Sequence, residues 1–282
     1  WVASVDYTED VRISDDLIKQ VKETYRKVRN TFKFMLGNLK DFDPKNDSVS
    51  YADMPKADKY MMNKLAEFVE SVRNAYDEYS FGEIYKLINN FVSVTLSAFY
   101  FDFTKDILYI EKKDSLVRRS VQTVIYNIFS AEVRLIAPIL PYTAEEVYSY
   151  MPGDKQASIH LEDMPQVEYF EDREELNKLF DEFFVLQYEV NKAISFARDE
   201  TKIIGSSQEA VVHINPNKYS SVCAELKDNL NQLLIVSAVV FDEKTENVLV
   251  EKSNGAKCTR CWNYVDHLEE GEVCARCHTI LN

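Results

Sequence analysis

Glycine is scarce and never clustered: six occur in 282 residues, with no Gly-x-Gly or P-loop pattern among them. The chain therefore offers no glycine-built backbone cradle for nucleotide phosphates. A nucleophile elbow, a zinc-protease helix and a kinase signature are all missing, and no spacing of Ser, His and Asp singles out a triad. Nothing here carries chemistry on its own. Long apolar runs are lacking too; the best, over residues 233–241, falls far short of the roughly 18–20 residues of a spanning helix. A soluble chain without a membrane partner is expected. Positive charge is in deficit, with 33 Lys and Arg against 47 Asp and Glu and a formal charge of −14. That excludes a surface coated with phosphate-binding side chains, although one local basic stripe could still hold nucleic acid. The chain opens at Trp1 with no basic-then-apolar leader, so it reads as part of a longer cytoplasmic protein.

What is present is mostly helical. From Ser14, an N-cap residue, Leu17, Val21, Tyr25, Val28, Phe32, Met35 and Leu39 recur at spacings of three and four and form one apolar face. Further helices are predicted over 54–79, 80–109, 115–140 and 172–198, with a short one after Pro141. Ser80 with Glu83, Thr143 with Glu146, and Asp172 with Glu175 are read as capping pairs. Such helices with short polar connections make a bundle over 14–200, after a connecting segment over 1–13. The aromatics between Tyr76 and Tyr109, including Phe99, Tyr100, Phe101 and Phe103, are assigned to its core. Residues 201–254 change character. Strands are expected over 209–214 and 234–241, with 248–252 pairing with the second of these, and a helix over 217–230. This is a small α/β subdomain.

The tail, 255–282, holds four of the five cysteines as Cys258-Thr-Arg-Cys261 and Cys274-Ala-Arg-Cys277, twelve residues apart. Two residues between cysteines let both sulfurs reach one ion, and two such knuckles complete a tetrahedral shell that suits zinc. Four thiolates leave no open position for water, so one structural Zn2+ is expected, and so short a segment needs it to fold. Disulfides, or a mixed set using His267 or His278, are the alternatives. Cys223 stands apart and reads as a small apolar residue. Trp262 follows the second ligand. Either it packs over the knuckle as a miniature core, or its indole is exposed beside Arg260 and stacks on an unpaired base.

On the first helix Lys19, Lys22, Arg26, Arg29 and Lys33 form a stripe, continued by Lys40. Residues 14–40 hold seven basic and three acidic residues, a net +4, which leaves −18 for the rest. Acids crowd 162–200 instead, twelve against four bases. A polar helix face is commonly just solvated; this segregation gives nucleic-acid binding equal standing.

Several stretches resemble the isoleucyl-tRNA synthetase family of class I. Trp1-Val-Ala-Ser with Asp6-Tyr7 and Asp10-Val-Arg-Ile-Ser14 is similar to the segment leaving its catalytic domain. Tyr25-Arg-Lys-Val-Arg29-Asn-Thr-Phe32 with Leu36-Gly-Asn-Leu39 resembles the first helix of its anticodon-binding domain. Leu96-Ser-Ala-Phe-Tyr100-Phe-Asp-Phe, Ala137-Pro-Ile-Leu-Pro141-Tyr-Thr-Ala-Glu-Glu146 and Ile204-Gly-Ser-Ser207 fit as well. So does the tail from Lys257-Cys-Thr-Arg-Cys261-Trp262 to Cys274-Ala-Arg-Cys277. The resemblance implies a mainly α chain, a class I anticodon-binding helix bundle followed by the α/β subdomain and the zinc module. It implies tRNA(Ile) as the partner, not DNA, in a monomer that also carries catalytic and editing domains. The signatures His-Ile-Gly-His and Lys-Met-Ser-Lys-Ser are absent, so ATP and Mg2+ would be handled in the catalytic domain and these residues alone would be inactive. Arg29, Asn30 and Lys33 are placed near the anticodon stem or loop, Arg26 on phosphate, and Arg260 with Trp262 at an anticodon base. The competing reading is a zinc-stabilised protein-interaction module.

Overall fold

The computed structural model describes residues 1–282. They form two compact units, one made of Trp1–Thr104 with Lys113–Glu171, the other of Lys105–Lys112 with Asp172–Asn282. No helix is long and apolar enough to cross a membrane.

The first unit is built from α1 (Asp15–Asn38), α2 (Lys56–Asp77), α3 (Phe81–Asn90), a wide π-helical stretch (Phe91–Tyr100), the start of α4 (Phe101–Ile110), α5 (Leu116–Ile136) and α6 (Pro141–Ser149). Ser14 caps α1 as expected, its hydroxyl accepting from the Leu17 N–H at 3.3 Å. The apolar face of α1 divides in two, however. Val28, Phe32, Met35 and Leu39 are buried, Phe32 meeting Phe129 of α5 edge-on, whereas Leu17, Ile18 and Tyr25 stay exposed. Buried aromatics from 91 to 103 supply much of the core, as expected, with Phe91 stacked on Phe68 of α2 at 4.1 Å, but Tyr79 and Tyr109, assigned to the core as well, are exposed.

Ser80 does not cap α3. Tyr79 adopts a left-handed φ of 56°, and the N–H of Ser80 reaches back to the Ala75 carbonyl while that of Tyr79 reaches Tyr76. This paired closure belongs to the end of α2, so the Ser80 backbone serves the preceding helix. Thr143 is not a cap either. Pro141, with its preset φ, already occupies the first position of α6, and the Thr143 hydroxyl meets the Tyr25 hydroxyl of α1 at 3.1 Å.

The second unit contains α7 (Arg173–Ser195), widened into a π turn over Phe196–Glu200, then β1 (Ala210–Ile214), α8 (Ser220–Glu225), α9 (Leu230–Leu233), β2 (Ala238–Phe241) and β3 (Leu249–Lys252). Asp172 makes no capping hydrogen bond to α7. The sheet order is β2-β1-β3, with β1 parallel to β2 and antiparallel to β3. The expected pairing of 248–252 with the second strand is thus corrected: β1 is central and takes both partners. Alternate residues Ala210, Val212 and Ile214 of β1 are buried, the signature of a half-buried strand. The expected strand over 234–241 starts only at Ala238, because Ile235 takes a left-handed φ of 55° and Val236 N–H bonds Asn231 to close α9. The tail adds β4 (Ala256–Lys257), β5 (Tyr264–Val265) and α10 (Ala275–Leu281).

Candidate metal centre and nucleic-acid interface

The β4–β5 hairpin pairs Ala256 with Val265 and Lys257 with Tyr264, which brings Cys258 and Cys261 to its tip. The Cys258 N–H donates to the Asn263 carbonyl at 2.9 Å and closes the knuckle. Across from it, Gly271 and Glu272 turn the chain through left-handed φ values of 82° and 57°, and Cys274 then leads into α10, which carries Cys277. Thr259 ties the two knuckles together, its N–H and its hydroxyl both donating to the Glu272 carbonyl at 3.1 Å.

The four ligand sulfurs lie within 4.8 Å of one another, and those of Cys261 and Cys274 are 3.7 Å apart. A tetrahedral ion with metal–sulfur bonds of ~2.3 Å sets its sulfurs ~3.8 Å apart, so the cluster is of a size compatible with zinc. At that separation Cys261 and Cys274 are not joined in a disulfide. Neither histidine joins the set: His267 is exposed, and the His278 ring faces Asn282. Burial and the neighbouring sulfurs push the Cys261 and Cys277 thiols up. Burial works against the Cys258 thiolate as well, yet the N–H groups of Cys261, Cys274 and Arg260 outweigh it and pull that thiol down. A bound divalent cation would offset what burial costs the thiolates of Cys261 and Cys277.

The core around the sulfurs is Ile110, Val273, Val265, Leu268 and Ile280. Ile110 belongs to the end of α4, within this same unit. Arg276 of α10 holds that segment with ion pairs to Asp106 and Glu111, both at 2.7 Å. Arg260 donates to the Ile110 carbonyl at 2.7 Å. Both guanidinium groups are thus engaged with the α4 terminus.

Trp262 takes no part in this small core. It sits in the left-handed region, φ 66°, unusual for so bulky a residue, and its indole is 59 % exposed. The cation over the ring is Lys257, with Nζ 5.5 Å from the centroid, and not Arg260. Sequence spacing does not single out Lys257; it becomes visible once the hairpin folds it beside Trp262.

In the other unit, Arg26, Arg29, Asn30 and Lys33 are all exposed on α1. Arg26 is ion-paired with Glu23, and Lys19 with Asp16 at 3.0 Å. Lys22, Arg29 and Lys33 make no ion pair. The expected tRNA contacts therefore fall into two sets, the stripe of α1 and the cysteine tail, each ordered within its own unit.

Residues 58–214 match the family described as anticodon-binding domain of tRNA ligase. Over its whole length the chain is 46% identical to the isoleucine–tRNA ligase of Staphylococcus carnosus (strain TM300), covering 32% of that protein. The figures are 46% and 32% for the isoleucine–tRNA ligase of Macrococcus caseolyticus (strain JCSC5402), and 43% and 32% for that of Staphylococcus aureus (strain MW2). The chain spans about a third of the length of the curated relatives it matches. The family match runs from α2 through β1, over more than half of the chain though not over α1, which places the chain in the anticodon-binding domain family of tRNA ligases.

Proposed function

We propose that this chain is the tRNA(Ile)-binding, anticodon-recognising part of an isoleucine–tRNA ligase. The full-length enzyme would join isoleucine to tRNA(Ile), with ATP and Mg2+ held in a catalytic domain outside these residues, and would act as a cytoplasmic monomer. The observation that carries this reading is the 46% identity kept across 100% of the chain, bundle and cysteine tail alike. Residues 1–13 would connect to the catalytic domain, 14–200 would grip the tRNA, 201–254 would link, and 255–282 would hold one structural Zn2+ on Cys258, Cys261, Cys274 and Cys277.

Binding far from the chemistry fixes the tRNA so that its acceptor end reaches the active site in register. Unpaired anticodon bases can be stacked and read along their edges, which a duplex does not permit. Arg29, Asn30 and Lys33 are suited to the anticodon stem or loop, since all three are exposed. Arg26 would have to release Glu23 to take a phosphate. Of the tail pair, Trp262 is ready for a base, whereas Arg260 would first have to release the Ile110 carbonyl.

Binding of tRNA(Ile) and tRNA(Val), with zinc loaded and after chelation, tests the reading. Preferential and zinc-dependent binding of tRNA(Ile) is expected. Equal or absent binding would reduce the region to scaffold and favour a protein-interaction module.

A further inference from the structure

Tyr142 has no packing role. It is 90 % exposed, the second residue of α6, in a position that any side chain could fill. Its place in the fold is nevertheless fixed, because the next residue, Thr143, shares a 3.1 Å hydroxyl contact with Tyr25 of α1. The first turn of α6 thereby reaches α1 at the level of Tyr25.

What lies beside Tyr25 follows from helix geometry. At about 100° per residue, Lys22, Arg29 and Lys33 stand roughly 40–80° round the helix from Tyr25, all on one side. Lys19 and Arg26 stand farther round, at about 100–120°. The two more distant cations are the ones neutralised by Asp16 and Glu23. The three nearer ones carry no counter-charge. Free positive charge therefore runs along one side of α1, roughly 40–80° round from the Tyr25 position that meets Thr143 of α6.

We infer that Tyr142, Lys22, Arg29 and Lys33 form one RNA-contact surface, in which the tyrosine ring stacks on an unpaired base and the three cations hold phosphates of the same strand. This rests on the tRNA-binding reading above and names contacts within it. The pairing of a π-face with an unneutralised cation row fits single-stranded or looped RNA, which presents both bases and phosphates. A protein partner would leave three lysine and arginine charges unanswered unless it were itself acidic. A closed duplex would offer the ring nothing to stack on.

The test uses the whole chain, zinc-loaded, and a tRNA(Ile) transcript titrated over a salt series. Tyr142→Ala should weaken binding by about fivefold to a hundredfold, the range seen for loss of one base–aromatic stack. Tyr142→Phe should keep most of the affinity, since the ring and not the hydroxyl does the stacking. Combined Lys22→Ala, Arg29→Ala and Lys33→Ala should lower the slope of log affinity against log salt by about 2, at roughly 0.7–0.9 per phosphate released. Tyr142→Ala should leave that slope unchanged. If the wild-type chain binds tRNA(Ile) and Tyr142→Ala binds equally well, the inference is wrong while the function stands. Tyr142→Phe as weak as Tyr142→Ala would overturn stacking, and an unchanged slope in the triple variant would overturn the cation row. A wild-type chain that binds no tRNA would sink the function reading and this inference together.

Discussion

Glu132 lies on α5 with both carboxyl oxygens buried and unpartnered, and burial pushes its acid up to about 8. In the unfolded chain it ionises near 4.5. Its contribution to stability is therefore full below that value and is lost as pH rises through about 8. Asp58 behaves similarly but lower: burial raises it to about 6 against the pull of the Ser120 and Tyr100 hydroxyls, so its contribution is gone above that pH. The interval from about pH 6.5 to 8 isolates Glu132, and stability should fall there by about 1–2 kcal/mol. Glu132→Met, of similar length and without polar atoms, should raise stability near pH 8 by about 1–3 kcal/mol and remove the slope. Urea titrations at both pH values read this out; a slope that survives in the variant would assign the titration to another group. An indole left in water over Lys257 adds little to folding, so Trp262→Ala should keep zinc while weakening tRNA(Ile) binding by ~1–3 kcal/mol. Unchanged affinity with the metal retained would remove the base-stacking role.

Among the elements, the β4–β5 hairpin has the tightest backbone approach. A Cβ on Gly255 would fall 2.5 Å from the Val265 carbonyl oxygen and 2.9 Å from its nitrogen, and neither can move without breaking the Ala256–Val265 pair. Gly255→Ala should cost the tail about 1–3 kcal/mol. The expected readout is a weaker hold on zinc in competition with a chelator, with the helical unfolding transition in place; unaltered zinc retention would show that the hairpin adapts. The cysteine cluster was legible in sequence because all four ligands declare themselves by local spacing. Helix positions were legible for the same reason, and Ser14 caps where expected. The failures also have physical causes. Ser80 was spent on closing α2, and the β-branched run before Ala238 on closing α9, both through left-handed turns at Tyr79 and Ile235, where no glycine marks the position. The partner of β3 could not be read, since a strand of period two fits either neighbour equally well. Nor could the seat of the tail on Ile110, because Arg260 and Arg276 reach partners 150 or more residues away.

For the molecule as a whole, charge sets a competition that local contacts cannot reveal. The chain carries −14 in total, yet the surface proposed to meet RNA is positive. At about 0.01 M salt the screening length is roughly 30 Å, so a tRNA approaching α1 feels the acids of the entire chain as well as the stripe. Near 0.1 M it shrinks to about 10 Å, and only the cations at the contact remain in range. Raising salt should therefore first relieve repulsion and then weaken attraction. Affinity for tRNA(Ile) is expected to pass through a maximum below about 0.1 M. Beyond it, log affinity should fall against log salt with a slope near −2 to −3, the release expected for Lys22, Arg29 and Lys33 at roughly 0.7–0.9 each. Equilibrium binding from 10 to 300 mM salt (approximate limits) covers both arms. A monotonic fall with a slope steeper than about −3.5 would mean that the ion-paired Lys19 and Arg26 also exchange their carboxylates for phosphates, and that the acidic bulk lies out of reach of the bound RNA.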